Sequence, residues 1–155
     1  MPLAGHRKLG RNMPEKLNST GRESLLMLLQ DEQEKAGFVS EQFIEQTARS
    51  TGLSISEVYG VATFYHLLST QPQGRNVIRV CKCIPCYFKG SDSVIETIHE
   101  KLGIAPGETT QDGKFSLQLT NCIGACDQAP AILLNHDLHC NLTPVKIAQI
   151  LEACQ

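Results

Sequence analysis

Two groups of cysteines, each placed directly after a predicted β-strand, constrain this chain more than any other feature of its sequence. The first group lies in the stretch VCKCIPC, and the second is Cys122 and Cys126, separated by Ile-Gly-Ala. Loops that follow neighbouring strands can meet at one edge of a sheet. We therefore predict that four thiolates converge in the folded protein, those of Cys81, Cys86, Cys122 and Cys126. Such a site is built by the tertiary fold and not by one local loop.

Four converging thiolates have two common uses in a metal site. A 2Fe–2S cluster takes four cysteine sulfurs, two for each iron, and a structural zinc ion accepts four sulfurs at similar spacings. Gly124 lies between the second pair of cysteines. It modestly favours the cluster, because a loop without a side chain lets backbone N–H groups approach the cluster sulfurs. Glycine serves tight zinc-binding loops as well, so the spacing alone leaves a zinc-stapled structural or interaction module open.

A third interpretation uses only the first group of cysteines. Cys83-Ile-Pro-Cys86 has the layout of a thioredoxin-type dithiol. It follows a strand and precedes a helix, where a lowered cysteine pKa would give a reactive thiolate. Pro130, just ahead of another predicted strand, could take the position of the cis-proline that faces such a disulfide. This dithiol oxidoreductase interpretation leaves three cysteines without a role: Cys81, Cys122 and Cys126.

The composition indicates the cellular compartment of the protein and excludes some classes of binding partner. The chain has 155 residues, 41% of them hydrophobic, a net charge of −2 and a pI near 6.2. This balance provides no basic surface for nucleic acid or an anionic membrane, and no apolar run approaches the roughly 20 residues that cross a bilayer. The N-terminal segment lacks the apolar region of a secretory signal. We therefore predict a cytoplasmic protein whose seven cysteines are ligands or redox thiols and not disulfides.

Three helices are predicted in the first half of the chain, after an N-terminal tail at residues 1–19. Their start signals are two capping boxes and one serine cap, and their stop signals are glycines: Thr20 with Glu23, Ser54 with Glu57, Ser40, Gly37 and Gly52. Apolar residues at helical spacing carry the third helix through Tyr65 to Leu68. Gln-Pro-Gln-Gly at residues 71–74 then breaks the pattern. We predict a helical bundle with its linker over residues 20–74.

The periodicity changes after the linker, and residues 75–155 are predicted to form a thioredoxin-like α/β domain. The predicted order is strand, helix, three strands and a last helix, around residues 77–80, 94–102, 114–120, 131–135, 138–142 and from 143 onward. Turns are indicated at Asp112-Gly113 and at Asn135. Helices against a small sheet are the composition of a thioredoxin-like domain. The predicted fold class is therefore α+β, with an N-terminal helical bundle followed by this domain.

Four stretches, in this order, resemble a known family: SISEVYGVATFYHLL, IRVCKCIPCYFKGSDSVIETIHEKLGI, TTQDGKFSLQL and NCIGACDQAP. They are similar to the small 2Fe–2S subunit of NADH-dependent oxidoreductases. That family serves in respiratory complex I, in NAD-dependent formate dehydrogenases and in NAD(P)-linked, often electron-bifurcating, hydrogenases. The resemblance covers residues 24–153 and implies a helical N-terminal bundle with a thioredoxin-like ferredoxin domain.

The resemblance implies that the ligands of a 2Fe–2S cluster are Cys81, Cys86, Cys122 and Cys126. Cys83 then becomes a spare thiol inside the first ligand loop, where the family commonly has small residues. Cys83 and Pro85 depart from that pattern, and Cys83 is an alternative ligand in place of Cys81.

The resemblance also implies an electron-transfer function. A 2Fe–2S centre moves one electron whereas NADH gives up two as a hydride, so a flavin must stand between them. This chain has no G-x-G-x-x-G or Walker pattern for a nucleotide. The flavin (FMN) and NAD(P) are therefore expected on a larger iron–sulfur partner subunit, beside further hydrogenase, formate dehydrogenase or complex I subunits. We expect no turnover with NADH by this chain alone.

Two further groups of side chains receive ordinary structural roles. The stripe of Tyr59, Phe64 and Tyr65 is predicted to pack on the helices, with contact to the flavin-bearing partner as the alternative. The stretch NHDLHC is predicted to be a polar hairpin, because backbone alternation would separate the side chains of His136, His139 and Cys140.

Overall fold

The computed structural model describes residues 21–154, with side chains described from Leu25 to Cys154. The predicted tail at residues 1–19 and the side chains of the Thr20 and Glu23 capping box lie outside this part. Over residues 21–154 the elements are α1 (Gly21–Ala36), α2 (Glu41–Thr51), α3 (Ile55–Phe64), β1 (Asn76–Cys81), α4 (Ile84–Phe88), α5 (Ser91–Leu102), β2 (Phe115–Thr120), a 3₁₀ turn (Cys126–Gln128), β3 (Ile132–Leu134), β4 (Asp137–His139) and α6 (Pro144–Ala153). None of the helices in this part is long and apolar enough to cross a bilayer.

α2 begins and ends at the predicted capping residues, and α3 begins at its predicted capping box. Ser40 Oγ accepts a hydrogen bond from the Phe43 N–H at 3.2 Å and so caps α2. At α3, Ser54 Oγ accepts from the Glu57 N–H at 3.2 Å, and Glu57 Oε2 accepts from the Ser54 N–H at 3.0 Å, which completes the capping box. Gly52 ends α2 with a φ of 71°, a conformation that glycine adopts without steric cost.

The first three helices pack around an apolar core of their own. Its buried members are Leu25, Leu29, Val39, Ile44, Ala48, Val58 and Ala62. Removing each large aliphatic side chain of this kind from water contributes about 1.5–3 kcal/mol to folding. The three helices therefore stabilise one another through this shared core.

The third helix is shorter than its apolar pattern predicts. α3 ends at Phe64, and Tyr65 leaves the helical conformation with a ψ of 114°. The chain then turns, and the Leu68 N–H donates to the Tyr65 carbonyl at 3.0 Å. Leu68 still packs against the helical core from this turn, but Tyr65 is 41% exposed. The prediction that the helix continues through Tyr65 to Leu68 was wrong, because the chain leaves the helical conformation at Tyr65.

β1 lies inside a mixed four-stranded sheet with the order β2-β1-β3-β4. It pairs in parallel with β2 and antiparallel with β3, and β3 pairs antiparallel with β4. Ile78 and Val80, alternate residues of β1, join a second core with α5 and α6. The other buried members are Val94, Ile98, Ile104, Phe115, Leu117, Ile132, Leu134, Leu142, Ile147 and Leu151. Helices packed on a mixed sheet confirm the α+β class.

The last part of the chain follows the predicted turns, but one strand is displaced. Asn135, with a φ of 54°, makes the turn after β3, and Thr143 Oγ1 accepts a backbone hydrogen bond at 3.2 Å to cap α6. β4 spans Asp137–His139, not residues 138–142 as predicted. Leu142 instead belongs to the loop before α6 and is buried in the core. Its apolar character reflects packing from that loop.

The segment predicted to be a linker is packed against the sheet. The Gly74 N–H donates to Ser116 Oγ at 2.7 Å, and a Cβ at Gly74 would come within 2.8 Å of the Phe115 backbone. Nearby, Arg79 of β1 is buried and donates through Nη2 to the Leu67 carbonyl at 3.4 Å. Burial lowers the pKa of the Arg79 guanidinium from its ordinary value. The segment between α3 and β1 thus contacts the sheet through hydrogen bonds between its main chain and side chains of the sheet.

Candidate metal centre

β1 and β2 bring the two groups of cysteines to the same edge of the sheet. The strands run parallel with Cys81 opposite Thr120, so both loops leave the sheet at one edge. The Lys82 N–H donates to the Thr120 carbonyl at 3.0 Å and extends this pairing by one residue. Cys122 lies two residues after the end of β2 at Thr120. The parallel pairing therefore sets the two cysteine loops side by side.

The first loop holds its predicted ligands inside the protein. Cys81 is the last residue of β1, and Cys86 lies in α4, a helix of one turn that the sequence analysis did not predict. Both side chains are only 1% exposed and pack with Ala129. Cys83 precedes the first residue of α4 and its carbonyl accepts from the Tyr87 N–H at 2.9 Å. Pro85 in the first turn of α4 was the available signal for this short helix.

The second loop holds its cysteines at the surface. Cys122 and Cys126 are exposed, and their sulfur atoms lie 3.3 Å apart. Gly124 between them has a φ of 87°, and a Cβ at this position would meet nothing within 4 Å. Backbone conformation, and not lack of space, is therefore the reason for glycine here. Two contacts lower the pKa of Cys122. The larger effect comes from the hydrogen bond of the Gly124 N–H to its sulfur, and the smaller from the contact with the Cys126 thiol.

The thiols of the two loops form one electrostatic group. Burial, followed by contact with the Cys81 thiol, raises the pKa of Cys86 to about 11. Burial also raises the pKa of Cys83, and negative charge on Cys81 and Cys122 raises it further. The pKa of Cys126 is raised first by its contact with Cys122, then by burial, with charge on Cys81 adding to the effect. Charges on one loop thus reach the thiols of the other.

The donor set fits a 2Fe–2S cluster. Among the described residues, no group of three or more His, Cys, Asp or Glu is arranged to hold a single metal ion. Cys81 and Cys86 are in contact within the first loop and Cys122 and Cys126 within the second, and the Cys83 thiol neighbours both Cys81 and Cys122. A 2Fe–2S cluster takes two cysteine sulfurs for each of its two irons. The two loops together therefore supply enough cysteine sulfurs for such a cluster.

The geometry supports the interpretation of Cys83 and Cys86 as a reactive dithiol less well than it supports a cluster site. The thiol neighbours of Cys83 are Cys81 and Cys122, and those of Cys86 are Cys81 and Cys126. The pKa values of Cys83 and Cys86 are both raised, whereas a reactive dithiol needs a lowered thiol pKa. The Ala129–Pro130 peptide bond is cis, as that interpretation proposed for Pro130.

An apolar rim of exposed side chains flanks the two cysteine loops. Its members on α4 are Ile84, Tyr87 and Phe88, and those at the end of α3 are Phe64, Tyr65 and Leu67. His66, between Tyr65 and Leu67, lies 3.5 Å from the Asn121 amide next to Cys122. The prediction that the aromatic stripe packs on the helices was wrong, because Tyr59, Phe64 and Tyr65 are all exposed. The α4 members were missed, although two aromatic residues directly after Cys86 were a visible signal.

The stretch NHDLHC forms a hairpin, as predicted. β3 and β4 pair antiparallel with Leu134 opposite Asp137 and Ile132 opposite His139. Cys140 is partly buried, and its carbonyl accepts from Lys146 Nζ at 2.6 Å.

Comparison with known proteins places this geometry in context. Residues 11–155 match the model of the family described as thioredoxin-like [2Fe-2S] ferredoxin. The E subunit of NADH-quinone oxidoreductase from Pseudomonas aeruginosa is 42% identical over 121 residues, which are 78% of this chain and 73% of that protein. The corresponding protein of the same name from Escherichia coli (strain K12) is 41% identical over 120 residues, 77% of this chain and 72% of that protein.

A solved structure gives a further similarity. The crystal structure of an NAD+-reducing [NiFe]-hydrogenase in the air-oxidized state aligns with a TM-score of 0.71 and 25% sequence identity over 83% of this chain. This chain spans about a fifth, 22%, of that hydrogenase chain.

Proposed function

This chain belongs to the thioredoxin-like 2Fe–2S ferredoxin family, and on that premise we propose that it is an electron-transfer subunit of an NAD(P)H-linked flavin oxidoreductase complex. The observation that carries the proposal is the meeting of two cysteine pairs at one sheet edge, beside the exposed apolar rim. The relatives from NADH-quinone oxidoreductase and the similarity to the NAD+-reducing hydrogenase support a complex of this class. Complex I, formate dehydrogenase and hydrogenase types all fit the chain.

The proposed ligands are Cys81, Cys86, Cys122 and Cys126. When bound, the cluster supplies a centre that gains and loses one electron at a time. The chain's own part is to hold four sulfurs, to shield Cys81 and Cys86 from water, and to donate backbone hydrogen bonds to sulfur. The Gly124 N–H meets Cys122, and the Ala131 N–H meets Cys86. Hydrogen bonds to ligand sulfur are one means by which a protein sets a cluster's reduction potential.

The proposed partner is a larger iron–sulfur subunit that binds flavin and NAD(P). A two-electron hydride must be split at a flavin before single electrons move on, and this chain has no nucleotide-binding motif. The apolar rim supports docking on the cysteine side, since Phe88 is 81% and Phe64 73% exposed. Exposed aromatic residues are typical anchors of protein interfaces.

We also propose that residues 20–74 act as a helical unit and residues 75–155 as the ferredoxin domain. The two separate apolar cores support this division. A cytoplasmic location is supported by seven cysteines that are all free thiols.

The test is the visible spectrum of the anaerobically purified protein before and after reduction with dithionite. Broad visible bands that bleach on reduction, together with iron and acid-labile sulfide, are expected. A colourless protein with stoichiometric zinc after oxygen-free, metal-supplemented growth would overturn the proposal in favour of a zinc-stapled module. Co-purification of a flavin-containing subunit with the tagged chain then tests the partner.

A further inference from the structure

A cavity of about 470 Å³ lies on the side of the sheet away from the second core. It is formed by the end of α1, the segment before β1, residues of β1 and β3, and the turn after β3. Val77, Arg79 and Leu133 line it, and they alternate with the residues that face α5 and α6. Its volume falls within the range of about 300–1,000 Å³ that small-molecule sites occupy.

Arg79 brings an uncompensated positive charge into this cavity. Arg79 is only 6% exposed, and its side chain makes one hydrogen bond within residues 21–154, the long one from Nη2 to the Leu67 carbonyl. Its Nε–H is buried without an acceptor, and among the described residues no carboxylate forms an ion pair with it. A buried charge without a counter-charge is costly, so an anion that reached the guanidinium would stabilise this arrangement.

A second side chain in the cavity is also left unsatisfied. Both polar atoms of the Gln73 side chain, Nε2 and Oε1, are buried without a hydrogen-bond partner. Leaving such a group buried and unpaired destabilises the folded protein. Gln73 and Arg79 line the same cavity, so one occupant that offers oxygen acceptors could meet both.

The remaining polar lining favours an anion over a cation. Arg75 and His136 lie on the wall, and Glu34 is the one carboxylate among the described lining residues. Glu34 is exposed. Asn135 uses its Oδ1 to accept the Val77 N–H at 2.8 Å, which leaves its amide N–H groups as donors. Donors and cations therefore outnumber acceptors around the cavity.

We propose that this cavity binds a small molecule through an oxyanion, a phosphate or a carboxylate group, held by Arg79 with Gln73 beside it. The guanidinium presents several N–H donors in a plane that matches both oxyanions. The site lies apart from the four cysteines and does not depend on the proposed electron-transfer function, so its test can fail or succeed independently.

The test is calorimetric titration of the full-length, purified protein with inorganic phosphate and, separately, with succinate, at constant ionic strength in chloride. Saturable binding of at least one of these anions is expected, and the stronger of the two identifies the preferred group. Arg79→Gln should weaken that binding by about tenfold or more, since a charge-assisted hydrogen bond is lost. Arg49→Gln is the matched control, because Arg49 lies on α2 at the surface beside Glu45, and it should bind like the unmodified protein.

Thermal unfolding adds a readout that an arginine with a merely structural role would not give. In chloride alone, Arg79→Gln should melt at the same temperature as the unmodified protein or higher, because an uncompensated charge has been removed. The bound anion should raise the melting temperature of the unmodified protein and leave that of Arg79→Gln unchanged. If Arg79→Gln does not fold, Gln73→Leu replaces it, with weaker anion binding expected.

Two results would overturn the proposal. One is the absence of saturable binding of either anion by the unmodified protein at millimolar concentrations. The other is equal weakening by Arg79→Gln and Arg49→Gln, which would indicate only a nonspecific effect of net charge.

Discussion

The two cysteine loops have similar spacing in the sequence but opposite environments in the structure. Cys81 and Cys86 are buried beneath the end of β1 and α4, whereas Cys122 and Cys126 are exposed. A cluster bound between them would have one side embedded in this chain and the other facing outward. The site is therefore open to solvent on the side of the second loop.

The two loops differ in the burial of their cysteines because their backbones follow different paths. The first loop continues from a central strand into a helical turn, which draws Cys86 back against Ala129. The second loop leaves an edge strand, turns at Gly124 in the left-handed conformation, and continues into a 3₁₀ turn. A loop after an edge strand has fewer neighbours to cover it, so its cysteines stay at the surface.

The largest expected effect comes from removing an outer ligand. Cys122→Ser should abolish nearly all visible absorption and the iron content, whereas Cys83→Ser should retain both, since Cys83 is the spare thiol. The measurement is the spectrum with iron and sulfide analysis, and Cys154→Ser, directly after the end of α6, is the control. The reverse outcome would be loss of absorption and iron with Cys83→Ser and their retention with Cys122→Ser. It would favour the interpretation in which Cys83 and Cys86 form a reactive dithiol.

Alkylation of the metal-free protein sharpens the contrast between buried and exposed cysteines. Cys122 and Cys126 should react with a bulky maleimide at least about tenfold faster than Cys81 and Cys86, because the inner pair requires local opening of the structure first. Peptide mass spectrometry under native conditions measures each rate. Equal rates in both loops would contradict the asymmetry, and denaturant should make the four rates converge.

Substitution of one glycine tests the turn of the second loop. Gly124→Ala should lower the free energy of unfolding by about 1–2 kcal/mol, the cost of a side chain in the left-handed conformation. Gly60→Ala is the matched control, since Gly60 lies within α3 and a Cβ there meets nothing within 4 Å. It should stabilise the protein by about 0.5–1 kcal/mol. Urea unfolding of both variants gives the comparison, and a stabilising Gly124→Ala would contradict it.

The smallest effect concerns the end of β2 away from the cysteines. Hydrogen bonds from Thr110 Oγ1 and from the Lys114 N–H lower the pKa of Asp112. A carboxyl whose folded pKa is depressed stabilises the protein above its unfolded pKa, near 3.9, and loses this as pH falls through the folded pKa. Asp112→Asn should therefore remove a small part of the acid destabilisation below about pH 4. Unfolding curves against pH measure this, and a steeper acid loss in the variant would contradict it.

The sequence by itself determined the features that depend on near neighbours along the chain. The caps at Ser40, Ser54 and Thr143 and the stop at Gly52 were predictable, because each hydrogen bond or backbone conformation involves residues a few positions apart. The two cysteine pairs were also visible from spacing. The helix after Ser54 was predicted too long, since an apolar pattern does not reveal where the chain turns to meet another element.

Only the tertiary structure decided which cysteines are buried, which aromatic residues are exposed and where Arg79 lies. Each of these depends on contacts between residues far apart in the sequence, such as the parallel pairing of Cys81 with Thr120 and the approach of Leu67 to Arg79. The sequence does not show whether an apolar side chain is buried within its own chain or by another protein. The physical reason is that burial is a property of the assembled surface and not of the residue.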